Sequence, residues 1–74
     1  MLRLSQVKQI LKTYELEIQN TGRGRHPIKV VGYNKITGRK LSYPLPAHGK
    51  NPEIHDFYLQ GIISKFSLPK DIFD

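Results

Sequence analysis

Apolar residues recur along this chain at two spacings, and the switches between them lay out a fold. In LSQVKQILKTY, positions Leu4, Val7, Ile10, Leu11 and Tyr14 fall three or four apart, the period of an amphipathic helix. Ser5 is the N-cap-type residue at its start. YELEIQN then alternates, with Tyr14, Leu16 and Ile18 on one side and Glu15, Glu17 and Gln19 on the other, as in a half-buried strand. TGRGR reads as a loop and HPIKVVGY as a second strand rich in β-branched residues. The Thr37-Gly38 pair in NKITGRK is a turn signal, so the second strand should fold back as a hairpin. KLSYPLP is the third strand, with Leu41, Tyr43 and Leu45 on one face. Pro44 brings no N–H to a ladder, which makes this strand an edge or limits its pairing to the first half.

AHGKNPE leads into a second helix, with Asn51 as N-cap and Pro52 at the first helical position. Its apolar stripe is Ile54, Phe57, Tyr58, Ile62 and Phe66, widened by Ile63. Ser67-Leu68-Pro69 ends the helix, and Leu68, Ile72 and Phe73 are placed to tuck a short tail onto the core. The order α-β-β-β-α predicts an α+β fold in which two helices cover one face of a three-stranded antiparallel sheet. No repeat, low-complexity run or linker divides residues 1–74, so a single domain is expected.

Composition narrows the chemistry. A chain of 74 residues builds one modest core and has little left to enclose a large cofactor. There is no cysteine, hence no disulfide and no thiolate metal site. The start, MLRLSQVKQIL, is too polar for a signal peptide or a membrane span. The expectation is a small cytoplasmic protein with no cofactor and no membrane segment.

Charge adds a direction. Between Ile18 and Pro52 stand seven basic residues (Arg23, Arg25, Lys29, Lys35, Arg39, Lys40, Lys50) and no acidic one. The rest of the chain holds five basic and six acidic residues, so the middle supplies all of the formal +6. Charge segregated in this way attracts a polyanion, nucleic acid or an acidic protein.

Within that segment, several sites are excluded by spacing. Gly22 and Gly24 lack the lysine and Ser/Thr of a phosphate-binding P-loop. His26, His48 and His55 have neither the i,i+4 spacing nor the flanking carboxylates of a zinc site. No Gly-x-Ser-x-Gly elbow occurs. What remains is His26 amid positive charge. RNA carries its own nucleophile, the ribose 2′-OH, so cleavage needs one proton-transfer group and cations for the charge building on phosphate. Imidazole titrates near neutrality and serves as acid or base. Arg23, Arg25 and Lys29 lie within three residues of it, and Gly22 and Gly24 let the backbone approach the phosphate.

Each of these residues also has a plainer role. His26 is equally a loop histidine bonding a carbonyl, and in a regular strand it shares a face with Ile28 and Val30 unless Pro27 bends the strand start. His48 is either a second proton-transfer group or a turn histidine packed between strand and helix. His55 at a helix N-terminus is poorly placed for a cation and suits the solvated surface. Tyr33 and Tyr43 are of a type that stacks bases, although its alternation with Leu41 and Leu45 assigns Tyr43 to the core. Lys50 either contacts phosphate or faces solvent.

Taken together, the motifs resemble those of the HicA toxin family. Gly24-Arg25-His26 is similar to its Gly-x-His motif, Pro46-Ala47-His48-Gly49-Lys50 to its Pro-x-His segment, and LQGIISKFSLPKDIF to its Leu/Ile-rich ending. The resemblance runs over nearly the whole chain in the same order. It implies a double-stranded-RNA-binding-domain-like fold and a bacterial or archaeal type II toxin–antitoxin system. It also implies a metal-independent endoribonuclease that cleaves mRNA and arrests growth, with His26 catalytic. The toxin alone would be monomeric, and a HicB-like antitoxin would cover His26 in a hetero-oligomer. Arg23, Gly24, Arg25, Lys29 and Lys50 are the expected RNA and phosphate contacts, with His48 a secondary candidate. This chain departs from the family pattern at Arg25, where serine is usual, and at Pro27. Glu15 stands near the glycine that commonly ends the first helix, and His55-Asp56-Phe57-Tyr58 near the usual Lys-Gly-Thr. The alternatives are a non-catalytic RNA-binding module using the same basic face and an adaptor docking an acidic protein.

Overall fold

Two spacings in the sequence become two layers in space. The computed structural model describes residues 2–20, 28–46 and 49–74. Its elements are β1 (Leu2–Arg3), α1 (Leu4–Thr13), β2 (Glu17–Asn20), β3 (Ile28–Tyr33), β4 (Lys40–Leu45), β5 (Glu53–Ile54) and α2 (Asp56–Phe66). Strands β2, β3 and β4 form an antiparallel sheet in that order. Residues opposite one another share a face. The pairs Ile18↔Val30↔Tyr43 and Ile28↔Leu45 therefore line one side, and Gln19↔Lys29↔Pro44 the other. Ile28, Val30 and Leu45 pack with Val7 and Leu11 of α1 and with Leu59, Ile62 and Phe66 of α2. Both helices thus cover one face, as the periodicity predicts. Each such fully buried side chain contributes about 1.5–3 kcal/mol of transfer free energy. Pro44 is accommodated because β4 is an edge, though pairing runs on through Leu45 rather than stopping halfway.

The helix starts differ from expectation, for one shared reason. β1 and β5 form a two-residue antiparallel pair, Leu2↔Ile54 and Arg3↔Glu53, which draws 53–54 out of the expected helix. Helix α2 accordingly begins at Asp56 with His55 as N-cap, its Nδ1 accepting the Phe57 N–H at 3.0 Å. Asn51 does act as a cap, but on the other helix: its Oδ1 accepts the Ser5 N–H at 2.9 Å, while the Leu4 N–H donates to the Pro52 carbonyl at 2.8 Å. Ser5 is therefore inside α1, whose N-cap is Arg3. The later start of α2 also rotates its buried stripe onto Leu59, Ile62, Ile63 and Phe66, leaving Phe57 69% exposed. Glycine at position 61 permits the close α2–β4 approach, since a Cβ there would run into the Tyr43 hydroxyl.

β2 starts at Glu17, three residues later than the alternation suggests, because α1 closes with its own backbone motif. The Leu16 N–H donates to the Leu11 carbonyl at 3.0 Å and the Glu15 N–H to that of Lys12 at 3.1 Å. Glu15 takes the left-handed conformation, φ 61°, that this ending requires and glycine favours. At the other end of the chain Leu68 is buried, and Ile72 and Phe73 pack against the core, as expected for the tail.

These connections give the molecule two distinct ends. At one, the turn end, the β3–β4 hairpin meets the C-termini of the helices. Asn34 holds it together: its N–H donates to the Arg39 carbonyl and its own carbonyl accepts the Gly38 N–H, both at 2.9 Å. Its Oδ1 accepts the Ile36 and Thr37 amides at 2.8 and 2.9 Å, and its Nδ2 donates to the Lys65 carbonyl and Ser67 Oγ, each at 2.9 Å. Every hydrogen-bonding position of that amide is used, and Asn34 is only 8% exposed. At the other, the loop end, both helices begin.

Candidate functional site

The loop end is where the sequence concentrates its candidate chemistry. The last pairs of the sheet there, Asn20↔Ile28 and Ile28↔Leu45, form one row across the three strands. Residues 21–27 connect Asn20 to Ile28, and residues 47–48 follow Pro46 directly. Arg23, Gly24, Arg25, His26 and His48 belong to those two segments and lie outside the described residues. Their points of attachment do not: neighbouring strands are ~4.8 Å apart, so the chain leaves for both segments within about 10 Å across one end of the sheet.

Lys29 sits one residue inside that row, on the helix-free face, half-buried and opposite Gln19 and Pro44. Lys50 is exposed and precedes Asn51, the residue that caps α1. Arg3 and Glu53 form a surface ion pair at 3.6 Å, and Arg3 Nη1 donates to the Asn51 carbonyl at 3.3 Å. His55 is exposed and its Nδ1 accepts the Phe57 N–H, an arrangement in which Nε2 carries the ring proton. The histidine assigned to solvated surface is thus also a helix cap.

The backbone contributes to the electrostatics. Helix α1 begins beside Pro52, and α2 begins beside the end of β4, with Leu45, Pro46, Ile54 and His55 around one cleft. Both helices end at the other side, α1 where Glu15 approaches Gly32 and α2 where Lys65 meets Asn34. Two helix N-termini, carrying the partial positive charge of the helix dipoles, therefore face the loop end.

The basic middle of the chain is split by this geometry. Lys29 and Lys50 are at the loop end, whereas Lys35, Arg39 and Lys40 belong to the turn end. Lys29 and the Tyr33↔Lys40 pair are four strand positions apart, about 13 Å at the usual rise, beyond the ~8 Å screening length of physiological salt. Among the described residues, the basic charge of this segment is thus divided between the two ends. Tyr43 packs on the core face as its alternation indicates, while Tyr33 is exposed. Among the described residues, no group of three or more histidine, aspartate or glutamate side chains is gathered as a metal site. No helix among them is long and apolar enough to cross a membrane.

Compared with protein-family models, curated proteins and solved structures, the chain matches none.

Proposed function

We propose that this protein is an endoribonuclease toxin of the HicA kind, which cleaves mRNA in the cytoplasm and is neutralised by a HicB-like antitoxin. The observation that carries the reading is the Asn20–Ile28–Leu45 row. The two segments holding the family-like Gly-x-His and Pro-x-His motifs attach at the same end of the sheet, beside two helix N-termini. A three-stranded antiparallel sheet, flanked in sequence by two helices that cover one of its faces, supports a double-stranded-RNA-binding-domain-like fold.

In this reading His26 moves a proton to or from the reacting ribose and phosphate oxygens, with the 2′-OH as nucleophile. Arg23, Arg25 and Lys29 balance the charge that builds on the phosphate, the Gly24 backbone allows its close approach, and Lys50 holds the neighbouring strand. His48 is the candidate for the complementary proton transfer. The antitoxin presents carboxylates to the same end and shields His26.

Induction of wild type and of His26→Ala in a bacterium tests this directly. Wild type should arrest growth and the variant should not, with equal circular dichroism and similar RNA affinity. RNA binding without cleavage by the wild type would instead make the chain a non-catalytic RNA-binding module.

A further inference from the structure

A cleft of about 150 Å³ lies between the end of β4 and the start of α2, lined by Leu45, Pro46, Glu53, Ile54, His55 and Tyr58. We propose that it holds one nucleobase of a single-stranded RNA and selects bases carrying an amino group. This rests on the RNA reading above and adds base recognition to it.

Size restricts the occupant first. Pockets for cofactor-sized ligands run to about 300–1,000 Å³, whereas a cavity of about 150 Å³ takes a single benzene ring. The lining suits a flat ring with a polar edge. Leu45 and Ile54 are buried and make an apolar floor. Pro46 and Tyr58 supply flat sides, and the Tyr58 ring is braced edge-on by Phe57, with centroids 5.3 Å apart at 88°. Phe57 itself remains exposed. Aromatic faces of this kind bind unpaired bases by stacking.

The polar groups define the edge. An ionised Glu53 carboxylate only accepts, and matches an exocyclic NH₂. His55 holds its Nδ1 on the Phe57 amide, which leaves Nε2–H as a donor for a ring nitrogen or carbonyl. Guanine, adenine and cytosine each present an exocyclic amino group beside an acceptor, whereas uracil offers only its ring N3–H, recessed between two carbonyl oxygens that repel a carboxylate. Arg3 is the cation facing Glu53, but at 3.6 Å between half-exposed side chains it is a surface pair that a better donor displaces.

The test is titration of the isotope-labelled full chain with the 3′-monophosphates of guanosine, adenosine, cytidine and uridine, followed by amide chemical shifts, with inorganic phosphate as control. The first three should move Ile54, His55, Phe57 and Tyr58, the uridine nucleotide should bind at least ~10-fold more weakly, and phosphate should leave these signals in place. Glu53→Gln, at an exposed position, should remove most of the cytidine-over-uridine preference without changing thermal stability. Tyr58→Ala should weaken all nucleotides about 10-fold, as expected for one lost stacking partner. Equal binding of uridine, or shifts confined to other residues, would overturn the proposal. An RNA-cleavage assay on the same samples separates the two readings. Cleavage without shifts at the cleft removes the base site alone, and shifts at the cleft without cleavage support the base site while removing the nuclease.

Discussion

The two ends of the sheet are built on opposite plans. At the turn end, one buried amide, Asn34, satisfies two hairpin amides, the Lys65 carbonyl of α2 and the Ser67 hydroxyl together. At the loop end, the three-strand row is followed by the segment richest in glycine and arginine, and caps are traded between distant parts of the chain: Asn51 serves α1, and β5 ties down β1. The difference teaches where stability and chemistry are expected to reside. Substitutions at the turn end should register in melting temperature, and those at the loop end in activity and ligand affinity.

The sharpest way to break that division is at His26. A general acid or base contributes roughly 10²–10⁴ in rate, so His26→Ala should reduce RNA cleavage by about that factor and leave the melting temperature unchanged. Cleavage by the wild type should persist in EDTA, require a 2′-OH and leave 2′,3′-cyclic or 3′-phosphate ends. Loss of stability in His26→Ala, measured by thermal denaturation, would move the residue from chemistry to structure.

The complementary change is Asn34→Ala. It removes the partners of two turn amides, one helix carbonyl and the Ser67 hydroxyl. Each net bond is worth about 1 kcal/mol, and a buried group left unpaired costs more. A loss of about 2–3 kcal/mol is expected, or roughly 10–20 °C in melting temperature for a domain this small. Specific activity per folded molecule, assayed well below the transition, should be retained. A variant that melts normally but fails to cleave would abolish the distinction between the ends.

Much of the first plan was legible in the sequence, and the reasons for the gaps are physical. The 3.6 period of Val7, Leu11 and Tyr14 and the alternation through Val30 and Tyr43 are repeated signals, so helices, strands and the shared core face could be read. The β1–β5 pair is two residues long and has no period to detect. Cap residues were recognised by type, but a local rule assigns Asn51 to the helix that follows it, whereas its side chain reaches Ser5. That displacement carried Phe57 from expected core to surface. Asn34 carried a signal that went unused, an asparagine closing an apolar strand just before a Thr-Gly turn. Of the candidate site, Lys29 and Lys50 lie at the loop end, and His26 with its arginines and His48 lie outside the described residues.

Charge provides the next test, because the chain offers three basic pairs. Arg23→Glu with Arg25→Glu should weaken RNA and antitoxin binding at least ~10-fold. If both arginines contact phosphate, the slope of log affinity against log salt should shrink by about 1.4 for a single strand. Lys35→Glu with Arg39→Glu, at the turn end, should have a much smaller effect despite belonging to the same acid-free stretch. Lys65→Glu with Lys70→Glu should have little or none, as the Lys65 carbonyl is fixed to Asn34 at that same end. Equal losses from the first two pairs, measured by fluorescence anisotropy over a salt series, would restore one continuous basic surface.

The smallest expected effect is a gain, at Glu15. Its φ of 61° costs a residue with a Cβ about 1–2 kcal/mol relative to glycine, and its carboxylate lies against the negative end of α1. Glycine removes both penalties but enlarges the unfolded ensemble by about 0.5–1 kcal/mol. The balance favours Glu15→Gly by about 0.5–1 kcal/mol, a rise of roughly 2–8 °C. Glu15→Ala separates the causes: it removes the charge but keeps the strained backbone, so it should melt below the glycine variant. The same pair also probes the division of the molecule. Removing a negative charge from the turn end should leave RNA affinity unchanged if the polyanion meets only the loop end, whereas a marked increase would mean that RNA senses both.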